Sequence, residues 1–256
     1  IYGVQAAGLS RGEAPDTTIE AMVDRYIHAI KQVQPNGPYR LGGYCTGGII
    51  AYAVACELVA QGDAVDLIAN IEGEPPHIER EKSGLLDPQR IAKILESIPY
   101  WFADYRQLGL VGIQQRLLTQ IRGLRRKLQF RNTPVVYSME DIILDDTTPL
   151  PDFQKDLLLK QVQMMEHYQP KRYPGSIVNF IARYPTITGA LTGPLDVTLG
   201  WEHLVEGGLS IHVIDSGHRN IHLQPYCGQL AAAIQTELEK ADQALAQPVE
   251  APLSEA

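Results

Sequence analysis

Cysteine is scarce and scattered in this chain. Cys45, Cys56 and Cys227 are the whole complement, an odd number without a CxxC pair, which excludes a disulfide framework and a cysteine-built zinc site. Long apolar runs are also missing. No stretch approaches the roughly 18 consecutive apolar residues of a membrane helix. The opening IYGVQAAGLS has neither the charged start nor the apolar core of a signal peptide. Basic residues are in deficit: 22 Lys+Arg against 30 Asp+Glu leave a net charge of −8, the wrong sign for a nucleic-acid partner. There are no internal repeats. These absences predict a soluble chain of the reducing cytoplasm. What is present, 256 residues that are 45% apolar, suffices for one sizeable core, with room for an insertion.

Short apolar runs alternate with amphipathic stretches, the pattern of an α/β protein with a mostly parallel sheet. Residues 1–5 read as a strand. Ile19, Met22, Val23, Tyr26, Ile27 and Ile30 fall at helical spacing between Thr18 and Val33. A strand at Tyr39–Tyr44, a buried helix at Gly47–Ala60 and a strand at Val65–Ile71 follow. From His77 to Tyr168 the periodicity is mostly helical, which marks an insertion with a basic centre: Arg116, Arg122, Arg125, Arg126, Lys127 and Arg131. Strands return at Ser176–Ala182 and Leu209–Ile214, and a last helix spans Pro225–Ala244. Residues 247–256, QPVEAPLSEA, read as a flexible tail or linker.

The most informative segment is Gly43-Tyr44-Cys45-Thr46-Gly47-Gly48, placed between a strand and a helix. It fits G-x-S-x-G with cysteine in the serine position. Such a turn needs small residues two positions either side of the nucleophile so that strand and helix pass closely, and it strains the backbone to lift the side chain above the sheet. It also aims the Thr46 amide and the positive helix end at a developing oxyanion. A helix N-terminus and a neighbouring imidazole both favour thiolate over thiol. Cys56 reads as a core residue within the helix, and Cys227 has no evident role.

In this motif's family of sites, the acid and then the histidine follow the nucleophile along the chain. Among seven histidines, His218 stands out because it follows the Leu209–Ile214 strand in a loop Asp215-Ser216-Gly217-His218, where the glycine offers a flexible, exposed perch. His212 is mid-strand, His222 opens the final helical region, and His28, His77, His167 and His203 lack that context. For the acid, Glu72 lies directly after the Val65–Ile71 strand, where a carboxylate would hold the imidazole tautomer. Asp196, beyond the strand at Ser176–Ala182, is the alternative.

The stretch GPYRLGGYCTGGIIAYAVACELVAQG resembles the elbow region of type I thioesterase domains of nonribosomal peptide and polyketide synthetases. So do YGVQAAGL near the start, the QP before GPYR, the Tyr-Pro-Gly before Ser176, and LGWEHL followed by the SGH loop. The resemblance implies an α/β-hydrolase fold, a mostly parallel sheet flanked by helices, with residues 77–168 as its lid within a single domain spanning 1–256. It puts Cys45 on the nucleophile, His218 on the base and Glu72 where aspartate is usual, and leaves Thr46 as the nameable oxyanion donor. The family's first strand and upstream oxyanion loop have no counterpart here. It further implies a substrate delivered on the phosphopantetheine arm of a carrier protein fused upstream. No bound cofactor or metal is implied. Release would follow by hydrolysis or ring closure, as in antibiotic biosynthesis. A basic lid would suit an acidic carrier protein. Two other readings stay open on the residues alone: a cysteine hydrolase acting on small esters or lactones, and a non-catalytic docking module.

Overall fold

The computed structural model describes residues 1–10, 12–78, 84, 86–107, 114, 118, 121, 151–194 and 196–246. Helix α1 (Ile19–Val33) begins where the Thr18 hydroxyl accepts the amide of Ala21 at 3.1 Å, satisfying one of the orphan donors of the first turn. Its Ile19, Met22, Val23 and Ile27 form one buried stripe. Strand β1 (Tyr39–Tyr44) runs into α2 (Thr46–Ala60). Helix α2 is apolar on nearly every side because it is covered on both, by α1 and by the sheet. Complete burial of a side chain such as Leu58 contributes about 1.5–3 kcal/mol.

Strand β2 (Val65–Ile71) precedes α3 (Pro88–Gln107) and α4 (Asp152–His167), which lie within the range 77–168. Strand β3 (Ile177–Tyr184), the short α5 (Ile187–Thr192), a 3-10 turn at Trp201–His203, strand β4 (Leu209–Gly217) and α6 (Cys227–Ala246) complete the order.

The four strands found among the described residues lie side by side in chain order, every pair parallel. A parallel pair cannot be joined by a tight hairpin, and each crossover here carries a helix. Successive side chains face opposite sides of the sheet. Ile68 therefore joins the core under α1 and α2, while Leu67 and Ala69 join a second core with Leu230 of α6. Both faces are covered, as an all-parallel sheet requires. Among the described residues no helix is long and apolar enough to cross a membrane.

Two expectations are corrected. Residues 1–5 form no strand: Ile1, Tyr2 and Val4 are exposed, and without a paired neighbour an extended segment gains no ladder. The run Asp215–Gly217 is not loop but the end of β4, because the parallel ladder continues to Tyr184↔Gly217. The basic cluster of the insertion (Arg116, Arg122, Arg125, Arg126, Lys127, Arg131) and the tail 247–256 lie outside the described residues.

Candidate active site

Cys45 sits between the last residue of β1 and the first of α2, with φ 54° and ψ −121°. A non-glycine residue there is strained and persists only where its surroundings fix it. Two hydrogen bonds do so: its amide donates to Ile71 O at 2.7 Å, and its carbonyl accepts from the Gly48 amide at 3.0 Å. The glycines divide the packing unevenly. A side-chain carbon on Gly43 would run into the Gly47 backbone and the Gly48 nitrogen, and one on Gly48 would strike Asn70 Oδ1, whereas one on Gly47 would meet open space. Close passage of strand and helix thus depends on Gly43 and Gly48. Gly47 contributes its backbone rather than its lack of a side chain.

Glu72 follows β2 directly, also at positive φ (59°). Its amide donates to Phe180 O at 3.0 Å, and its carboxylate spans two partners: Oε1 accepts from the Ala182 amide at 2.5 Å, and Oε2 accepts from His218 Nδ1 at 2.8 Å. The turn is braced from below. Asn70 Nδ2 and Trp201 Nε1 both donate to the Gly73 carbonyl, at 2.9 and 2.8 Å. Asn70 also donates to Asn179 Oδ1 at 2.9 Å, and both asparagines are fully buried. Such a network specifies one arrangement because any broken member strands a desolvated amide.

His218 is the first residue beyond β4. Its glycine perch is not an exposed loop, contrary to the sequence expectation: Gly217 is buried at the end of β4, and the imidazole itself is partly buried. One ring nitrogen donates to Glu72 at 2.8 Å, and Cys45 lies near enough to the ring to act on its protonation. Burial on its own would depress the imidazole pKa. The hydrogen bonds and negative charge of Cys45 and Glu72 outweigh it and push the value up to about 10. Cys45, Glu72 and His218 each stand at the carboxyl end of a parallel strand, where ligands of open α/β sheets bind.

The other candidates are elsewhere engaged. Asp196 Oδ1 accepts from the amide and hydroxyl of its neighbour Thr198, at 3.0 and 2.5 Å. His212 bonds Glu237 of α6 at 2.7 Å and stacks on Phe180. Cys56 packs against the α1–α2 core, its thiol pKa pushed up to about 11 by burial. Cys227 opens α6. Thr46 is the first residue of α2, where the amides have no intrahelical acceptor. Sequence reasoning missed Asn70, Asn179 and Gly73. Trp201 lay within the quoted LGWEHL, yet nothing in the sequence shows that its indole reaches the Glu72 turn.

The family described as "Thioesterase domain" matches residues 1–237. The dimodular nonribosomal peptide synthase of Bacillus subtilis (strain 168) is 25% identical over 240 residues, 94% of this chain and 9% of that protein. Polyketide synthase PksR of the same strain is 46% identical over 71 residues, 28% of this chain and 3% of that one. The chain therefore spans only a small fraction of these relatives' length. Two solved structures are similar in fold. RedJ, a thioesterase from the prodiginine pathway of Streptomyces coelicolor, has a TM-score of 0.54 at 18% identity, with 91% of this chain and 78% of that one covered. The NocB thioesterase domain has a TM-score of 0.53 at 20% identity, with 90% and 78% covered. With a parallel sheet, an elbow at the end of its first described strand and a family match over nearly its whole length, this chain belongs to the thioesterase domain family.

Proposed function

We propose that this domain releases an acyl or peptidyl chain from the pantetheine thioester of a carrier protein, through an acyl-enzyme on Cys45. The observation that supports the reading best is the His218–Glu72 hydrogen bond at the same sheet edge as Cys45, which stands at the strained turn between β1 and α2. In the first step the Cys45 thiolate attacks the thioester carbonyl. The Thr46 amide at the start of α2 faces the charge that develops on oxygen. Collapse expels the pantetheine sulfur, which takes the proton held by His218, and leaves the chain as a new thioester on Cys45. Exchange of thioester for thioester changes free energy little, so the acyl-enzyme stays reactive.

The raised pKa of His218 suits the first step, because the imidazolium is the resting form and is ready to act as acid. Once Cys45 is acylated, its contribution to holding that proton is lost, and the ring becomes a better base for the second step. It then takes a proton from water, giving a free acid, or from a hydroxyl or amine within the bound chain, giving a ring. Glu72 orients the imidazole throughout. The carrier protein is the natural macromolecular partner, fused upstream as in multidomain synthetases, and the work is done in the cytoplasm.

The test is turnover of a carrier protein loaded with an acyl-pantetheine chain. Release of acid or ring by the wild type and none by Cys45→Ala supports the reading. Equal release by both, or cleavage of small free esters but not of the thioester, rejects it.

A further inference from the structure

The turn carrying His218 is contacted by two phenols from different elements, Tyr44 of β1 and Tyr100 of α3. It closes with the Asn220 amide donating to Gly217 O at 3.0 Å, with His218 and Arg219 at its centre. Tyr44 is the residue before Cys45. Its hydroxyl donates to the His218 carbonyl at 2.8 Å, and its ring centroid lies 5.2 Å from the imidazole. Tyr100 approaches from α3. Asn220 Nδ2 donates to the Tyr100 oxygen at 2.9 Å and to Asp104 Oδ1, one turn along the same helix, at 2.8 Å. The fit there is close: a side-chain carbon on Gly217 would meet the Tyr100 hydroxyl at 2.5 Å. Tyr100 is itself fixed by stacking on Tyr184, with centroids 4.7 Å apart and planes 13° from parallel. Burial foremost raises the pKa of both phenols, so each keeps its proton at neutral pH.

His218 needs such support. It lies one residue past the last ladder pair, so the sheet does not hold its backbone, and about a third of its side chain remains accessible. We propose that Tyr44 and Tyr100 are positioning residues that clamp the His218 turn, Tyr44 tying it to the nucleophile's strand and Tyr100 tying it to helix α3. The consequence is a mechanical link between the base of the helical insertion and the reacting imidazole. A displacement of α3 reaches His218 through the Tyr100–Asn220 bond. This inference rests on the acyl-transfer reading above.

The experiment uses the 256-residue chain as Tyr44→Phe, Tyr100→Phe and the double variant; each keeps its ring and loses only the oxygen. Acylation of Cys45 is followed by intact-protein mass spectrometry over a range of acyl-pantetheine thioester concentrations, beside thermal melting. Each single variant is expected to lower the saturating rate on the order of ten-fold, as small misplacements of a reacting group do. The half-saturating concentration stays within about two-fold, since no substrate contact is removed. Wild-type saturating rates in both variants overturn the clamp, as does a loss carried wholly by half-saturation. If the wild type takes no acyl group, the functional reading falls. The clamp is then judged by the imidazole nitrogen resonances of His218, which both substitutions shift if it is real and leave unmoved if it is not.

Discussion

Replacing Glu72 with glutamine tests the acid role proposed for it, because the change is nearly isosteric and both partners of the carboxylate are known. The amide oxygen can keep the Ala182 N–H, held at 2.5 Å by Oε1. The NH2 group must then face His218 Nδ1, where Oε2 now accepts at 2.8 Å. A donor meets a donor, so the ring either turns away or moves its proton to the nitrogen that should face Cys45. A hydrogen bond to a charged group is worth about 1.5–3 kcal/mol. At about 1.4 kcal/mol per factor of ten, that loss slows acylation by roughly 10- to 150-fold. An acid-to-amide change in a serine-protease triad costs about 10,000-fold, and a thiol, already nucleophilic near neutral pH, depends less on its base. The lower range is therefore expected. The assay is the rate of Cys45 acylation by an acyl-pantetheine thioester, with Asp196→Asn as comparator. Glu72→Gln within about two-fold of wild type, or Asp196→Asn as the slower of the two, refutes the reasoning.

Two further outcomes follow from the same geometry. Gly43→Ala is expected to cost at least about 2 kcal/mol in denaturant unfolding, because the new carbon meets the Gly47 backbone, whereas Gly47→Ala, facing open space, should cost less than about 1 kcal/mol; equal effects contradict the packing described. The His218 pKa is raised on folding from 6.5 to about 10, so the protonated ring stabilises the fold fully below about pH 6.5 and loses that effect as pH climbs through about 10. The melting-temperature gap between wild type and Glu72→Gln should narrow over that window, and a gap that stays constant from pH 6.5 to 10.5 argues against it.

Much of the fold was legible because its signals are local. The stripe of α1, the apolar strands and the glycine-dense elbow are each dictated by neighbouring residues, and they appear within a few positions of where periodicity puts them. Strand ends were less so. Strands β3 and β4 extend to Tyr184 and Gly217 because they pair with each other, a fact written in neither segment alone. That pairing turned the expected glycine hinge before His218 into buried strand. In the site, Cys45 and His218 were marked by their immediate context. The choice between Glu72 and Asp196 was not, since both follow strands, and the Glu72 carboxylate meets His218 through the pairing of β2 with β3 and of β3 with β4. The bracing of the Glu72 turn was illegible for the same reason: Trp201 lies 128 positions from the carbonyl it holds, and Asn179 lies 109 from Asn70.

The most direct test of the central claim is intact-protein mass spectrometry after mixing the chain with a simple acyl-pantetheine thioester, beside Cys45→Ala and His218→Ala. The account predicts one acyl group per wild-type molecule, none on Cys45→Ala and slow accumulation on His218→Ala. An adduct that persists on Cys45→Ala, or a wild type that never acquires one, contradicts it.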